Sequence, residues 1–337
     1  MDRKAWRDRA AEPALEPDLP IIDAHHHLWT NSPADPFEPY DHEALLADKL
    51  NSGHNIIATV YADAHSNYRT TGPEHLKVVG ETEHADWVAE EGLRRGGRSA
   101  GICAASVTNA DLTMGAAVGE VLDAHMAASK RFRGIRHMTA FDPELPHYGG
   151  SEYGTMALRD FRDGLKELQK RDLTFDAWLF HPQLPEMIDL ARAFPNARMV
   201  QDHLGGLVGV GRFADRRKEA FAEWKKDMAR LAECPNVTLK VGGLNMYYTG
   251  LVPGQKEAAF SSEQMAQRQR DIILTAIDLF GPSRCMFESN FPVDMLYTSY
   301  TNVWNTFKRV TKDFSAAERA DLFAGTAQRA YRIHNIH

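Results

Sequence analysis

Near the N-terminus, Asp23-Ala24-His25-His26-His27 ends a short apolar run that begins at Pro20-Ile21-Ile22. In an extended strand alternate side chains share a face, so this spacing predicts that His25 and His27 project together while His26 faces away. Two converging imidazoles can hold a metal ion or polarise a substrate oxygen. Two more histidines follow strand-like runs, His181 after residues 175–180 and His203 after residues 198–202. Four histidines at three strand ends would share one rim, which is the pattern of a hydrolytic site. The run Met286-Phe287-Glu288-Ser289-Asn290-Phe291-Pro292-Val293-Asp294 brings carboxylates to the same rim if it ends the last strand.

The elements that must position these residues alternate along the chain. Apolar strand candidates lie at 21–25, 56–61, 101–107, 132–136, 175–180, 198–201, 237–241 and 284–287. Segments between them, such as 151–170, 217–231 and 262–280, carry apolar residues at helical spacing. Strand and helix repeated in this way specify an α/β chain folded as a (β/α)8 TIM barrel, whose strand C-termini build the active site. No repeat or linker divides the chain, so one barrel domain is expected over 20–337, preceded by an N-terminal extension over 1–19. Long connections at 137–153 and 245–261, after strands 4 and 7, are candidate binding loops or barrel covers. Ser315-Ala316-Ala317-Glu318 reads as a capping box opening a helix through about residue 333.

Composition narrows the function classes. The net charge is −7 and no block of five basic residues occurs, which argues against nucleic acid as a partner. No 18-residue apolar run exists and the first twenty residues lack a signal-peptide core, so neither membrane nor export is expected. Cys103, Cys234 and Cys285 are odd in number and show no C-x-x-C spacing, as suits reduced thiols in the cytoplasm. A small molecule is the expected partner, in a chain that could assemble as a homo-oligomer.

These residues resemble the amidohydrolase superfamily, in the branch of lactonase-like metal-dependent hydrolases often called amidohydrolase 2. The matching motifs are Asp23-x-His25-x-His27-x-Trp29, Asp202-His203-Leu204-Gly205-Gly206, Leu239-Lys240-Val241-Gly242-Gly243-Leu244 and Ser289-Asn290-Phe291-Pro292. The resemblance implies a distorted barrel and a catabolic enzyme. Members open pyrone dicarboxylates and sugar lactones, and neighbouring groups are decarboxylases. It matches His25 and His27 to the first-strand pair, His181 to the fifth-strand histidine and His203 to the sixth-strand one. At the eighth strand the family pattern usually has an Asp that is ligand and general base. This chain has Asn290, and an amide cannot accept a proton at neutral pH. Asp294 is the expected substitute base, ahead of His203 and Glu288.

A divalent ion, zinc before manganese, is expected on His25, His27 and His181, with a metal-free mechanism as the alternative in which histidines polarise the carbonyl. Arg136 and His137 at the end of the fourth strand, with Trp29, Tyr148, Tyr247 and Tyr248, are candidate substrate-binding residues, while Lys240 is read as structural. The function expected is hydrolysis of a lactone or a related ester or amide, with Asn290 orienting water or substrate. The alternatives are non-oxidative decarboxylation of an aromatic or unsaturated acid, and a catalytically silent binding barrel.

Overall fold

A computed structural model describes residues 3–30, 38–145, 151–252 and 259–334. Its eight strands are β1 (Pro20–His26), β2 (Asn55–Ala62), β3 (Ala105–Thr108), β4 (Phe132–Met138), β5 (Thr174–Trp178), β6 (Arg198–Gln201), β7 (Val237–Val241) and β8 (Cys285–Phe287). They pair in parallel in chain order, with helices between them. This is the (β/α)8 barrel the alternation predicts. Alternate residues face inward, among them Ile22 and Ala24 of β1, Ala58, Val60 and Ala62 of β2, Val200 of β6 and Met286 of β8. The intervening residues, such as Ile135, Phe175, Leu239 and Phe287, join the layer between strands and helices.

The strand expected at 101–107 begins only at Ala105. At Gly101 the chain turns at φ +82° so close to β2 that a side chain there would meet the Ile57 carbonyl oxygen at 2.2 Å. The helix expected from 151 starts at Arg159, because Leu158 is extended and separates it from a short turn at Thr155–Ala157. Ser315 does cap a helix, with its hydroxyl accepting from the Glu318 N–H, but a π-turn at Asp321–Gly325 interrupts it and it ends at Ala330. Tyr331 and Ile333 then enter the bottom of the barrel, where they pack on the inward residues of β1, β2 and β6.

Closure between β1 and β8 lies beyond the short eighth strand. The Asn290 N–H donates to the His25 carbonyl at 2.9 Å, and the His27 N–H donates to the Phe291 carbonyl at 2.7 Å. Buried Asp23 clasps the same seam by accepting from the Ser289 N–H (2.8 Å), the Ser289 hydroxyl (2.6 Å) and the Tyr300 hydroxyl (2.9 Å). The N-terminal segment also packs onto the barrel: the Ala10, Pro13 and Leu15 carbonyls accept from Asn302, Asn305 and Lys308. No helix among the described residues is long and apolar enough to cross a membrane.

Asp48, near the end of the helix His42–Asn51, accepts from the Tyr40 hydroxyl at 2.9 Å. Burial pushes its carboxyl up to about 6 against the opposing effects of that bond and of Arg7. Folded Asp48 thus keeps its proton where the unfolded chain has lost it, and stability falls as pH rises from about 4 to about 6. An Asp48→Asn variant keeps an acceptor for Tyr40 and removes the titration. Urea unfolding at pH 4.5 and 7.5 is expected to show the wild type losing about 2 kcal/mol more than the variant over that interval. Parallel profiles would remove the assignment.

Candidate active site

The inward alternation of the strands continues into their C-terminal ends, where apolar residues give way to Arg136 on β4, Asp176 and Trp178 on β5, Asp202 after β6, Lys240 on β7 and Glu288 after β8. Lys240 is fully buried. Its ammonium donates to Asp176 Oδ2 at 2.7 Å and to His25 Nδ1 at 3.1 Å, and stands 3.1 Å from Asp202 Oδ1. Burial works against its charge, but Asp176, Asp202 and Glu288 together outweigh that and hold the pKa above the ordinary lysine range. Asp202 is pushed up by burial and pulled further down by Lys240 and Arg136, so it remains a carboxylate. Arg136 Nε donates to its other oxygen at 2.8 Å. Below, the Tyr331 hydroxyl donates to Asp176 Oδ2 at 2.6 Å.

The β1–β2 register shifts between Asp23 and His26, and past this irregularity His25 and His27 turn to the barrel mouth. Their Nε2 atoms are 3.1 Å apart. His26 points the other way, to Thr59 Oγ1 at 2.9 Å. Hydrogen-bonding partners set the proton positions. Lys240 has only protons to offer, so His25 Nδ1 accepts and its Nε2 carries the proton toward His27. His27 Nδ1 donates to the Ala62 carbonyl at 3.1 Å, leaving its Nε2 lone pair free to accept. His203 packs beside His25 at 4.7 Å and edge-on to Trp178 at 4.7 Å. Its Nδ1 is 2.7 Å from Glu288 Oε1, and its Nε2 is 3.5 Å from Arg136 Nη2. Burial first, then nearby cations, holds His27 and His203 at about 3, so both imidazoles are neutral at physiological pH. Burial also pushes the Glu288 carboxyl well above its usual range.

Several expected site residues lie elsewhere. His181 starts a 3-10 turn after β5; its Nδ1 accepts from the Val208 N–H at 3.1 Å and its ring packs on Phe213, so it does not join His25 and His27. His137 is one position from inward-facing Arg136 and therefore points outward, against Phe161 at 5.2 Å. Asp294, pushed up to about 7 by burial, accepts from Asn290 Nδ2 at 2.8 Å and Asn245 Nδ2 at 3.0 Å, which ties it to Asn290 instead of the imidazoles. Trp29 stacks parallel to His27 at 5.8 Å. Tyr248 is buried against Trp178 and Phe180, whereas Tyr247 is 54% exposed. Tyr148 lies outside the described residues.

Among the described residues, two imidazole nitrogens come to the spacing of a shared cation at His25 and His27. Two imidazole nitrogens sharing a zinc ion stand roughly 3.3 Å apart, close to the 3.1 Å between the Nε2 atoms of His25 and His27. Among the described residues, the group of three ligating side chains with donor atoms within 4.8 Å is instead His25, Asp202 and His203. The Lys240 ammonium already sits 3.1 Å from both His25 and Asp202, so that inner cluster has its cation. The histidine spacing did not reveal Asp176, Asp202 or Trp178. The available signal was polar residues at alternate positions of otherwise apolar strands.

A family model described as amidohydrolase matches residues 22–333. An uncharacterized protein, y4mH, of Sinorhizobium fredii is 34% identical over 94% of this chain and 99% of its own. An L-fucono-1,5-lactonase of Burkholderia multivorans is 31% identical over 60% of this chain and 64% of its own. The crystal structure of a Burkholderia multivorans amidohydrolase with bound zinc is 25% identical, covers 93% of this chain and 99% of that one, and superposes with a TM-score of 0.70.

Removing one partner of a buried ion cluster leaves uncompensated charge and costs about 3–5 kcal/mol. Lys240→Met is expected to lose stability on that scale in urea unfolding, and adding Asp176→Asn to recover part of the loss. Additive losses in the double variant would show that the two side chains are not coupled.

Proposed function

Because this chain belongs to the amidohydrolase family, we propose that it is a hydrolase that opens an uncharged cyclic ester of the sugar-lactone class. The observation carrying the substrate class is the charge pairing at the mouth. Both inward cations, Lys240 and Arg136, are committed to Asp176 and Asp202. Arg212, on the loop beside Phe213, is likewise paired with Asp142 at 2.8 Å. Among the described residues, a substrate carboxylate would meet Asp202 and Glu288 with no unshared cation to receive it, and burying an unpaired charge is costly. A neutral polyol lactone needs only hydrogen-bond partners and an apolar wall. Arg136, His203 and Asn290 offer the first, and Trp29 and Trp178 the second.

In this reaction the oxygen of water bonds to the acyl carbon, the ring C–O bond breaks, and a hydroxy acid leaves and releases its proton. Arg136 supplies the fixed positive charge nearest His203, suited to the negative charge that develops on the carbonyl oxygen. A divalent ion held by the Nε2 atoms of His25 and His27 would supply Lewis-acid polarisation of that carbonyl. For that, Lys240 would have to release His25 Nδ1, 3.1 Å from its ammonium, so that the ring proton could sit there toward Glu288 Oε2 at 3.3 Å.

A pH-indicator assay on neutral 1,5-lactones and on 2-pyrone-4,6-dicarboxylate is expected to show proton release without CO2, with kcat/KM about 100-fold higher for the neutral class, the scale of leaving one buried charge unpaired. Preference for the dicarboxylate would overturn the substrate class, and CO2 release would replace hydrolysis with decarboxylation. Zinc added to apoprotein and counted by mass spectrometry after gel filtration is expected to be retained by the wild type and His181→Ala but lost from His27→Ala. Retention by His27→Ala would place the ion elsewhere.

A further inference from the structure

We propose that His203 is the general base of this site and Glu288 the positioning residue that sets its tautomer. The inference rests on the hydrolytic reading above and supplies the proton acceptor that Asn290 cannot be. The contact with Arg136 sets the proton position on His203, and the contact with Glu288 accommodates it. Arginine only donates, so the Arg136 Nη2 contact at 3.5 Å makes Nε2 the acceptor, and the proton then resides on Nδ1, facing Glu288 Oε1 at 2.7 Å. The Nε2 lone pair faces the guanidinium, and a water molecule that bonds to it takes the place of the long 3.5 Å Arg136 contact. Other carboxylates cannot take this role: Asp202 is engaged by Lys240 and Arg136, and Asp294 by Asn245 and Asn290.

The backbone is shaped around the pair. His203 and Leu204 both adopt left-handed conformations, at φ +50° and +56°, which lift the imidazole off the end of β6. Opposite, Gly243 has φ +64°, and a side-chain carbon there would lie 2.6 Å from His203 Nδ1. At Gly242 such a carbon would lie 2.3 Å from Glu288 Cγ. Two successive residues without side chains therefore make the room that His203 and Glu288 occupy. Met286 faces the barrel interior, so Glu288, two residues later, faces it too. The carboxyl group missing at 290 is thus provided from 288 through a histidine.

The proton count closes. Nε2 of His203 takes a proton from water as the water oxygen bonds to the acyl carbon, and the imidazolium is held by Glu288 at Nδ1. That proton then passes to the ring oxygen as the acyl–oxygen bond breaks, and His203 returns to neutral.

The tautomer is read directly by long-range 1H–15N NMR on the full-length protein without substrate. The wild type is expected to show His203 protonated at Nδ1, and Glu288→Ala to lose that single state; an Nε2-protonated His203 in the wild type overturns the proposal. Kinetics test the role. Glu288→Gln, which keeps the volume and an acceptor oxygen, is expected to lower kcat about 100-fold with little change in KM. His203→Asn is expected to lose at least as much, and the double variant no more than His203→Asn alone. Formate is expected to restore part of kcat to Glu288→Ala, a response that loss of packing would not give. Full kcat in Glu288→Gln, or additive losses, overturns the proposal. If the wild type opens no cyclic ester, the hydrolytic reading falls, while the NMR experiment still decides the pair.

Discussion

One ammonium organises the centre of this barrel. Lys240 lies beyond the reach of water, and an ion there persists only if its attraction to neighbours exceeds the cost of dehydration. Asp176 and Asp202 come from adjacent strands and meet that requirement together, and Arg136 shares the second of them. With both cations placed, a second N–H of Lys240 fixes His25, His25 fixes His27, and the remaining carboxyl group, Glu288, faces His203. Tyr331 closes the arrangement from below, so the last turn of the chain is tied to its chemical centre.

That order depends on how the barrel is closed. A regular β1 would carry Ile22 and Ala24 inward and continue with His26, leaving His25 and His27 on the outer face. The register irregularity after Asp23 exchanges the two sets. It is secured by Asp23 itself, whose carboxylate takes three hydrogen bonds across the seam from Ser289 and Tyr300. Burial pushes Asp23 up to about 6 despite those bonds, so the clasp carries a standing electrostatic cost in return for a fixed phase of the catalytic strand.

Much of this was legible in the sequence, and the limits have physical causes. Eight apolar runs with helices between them define the barrel because parallel strands buried on both faces leave continuous apolar stretches. Alternation correctly turns Arg136 inward, and the same rule turns His137 outward onto Phe161. Alternation ends where the strand ends. His181 follows β5 by three residues and enters a turn with Pro182, so its direction is set by the Val208 amide and not by the strand. Asp294 lies beyond Pro292 and is likewise placed by the loop. Asp176 escaped notice because a lone carboxylate within a strand carries no motif, and Asp202 stood in a quoted motif without a role; only their inward phase, shared with Lys240, marks them.

A site whose described charges are paired internally has little long-range attraction for an ion. Its field is nevertheless large over a few ångströms, because the guanidinium of Arg136 and the carboxylates around it are held in place before any substrate arrives. Such a field is felt weakly by a neutral ester and strongly by the oxyanion formed from it, so the same pairing that gives no advantage to an anionic ground state favours the transition state of a neutral one. Neutral imidazoles fit this logic: burial keeps His203 unprotonated, and in the proposed mechanism the positive charge it gains from water lies between Glu288 and Asp202. The rigid clustering of ions around Lys240 and the preference we propose for an uncharged substrate would therefore be consequences of one design, in which charge is prepared for the reaction and withheld from binding.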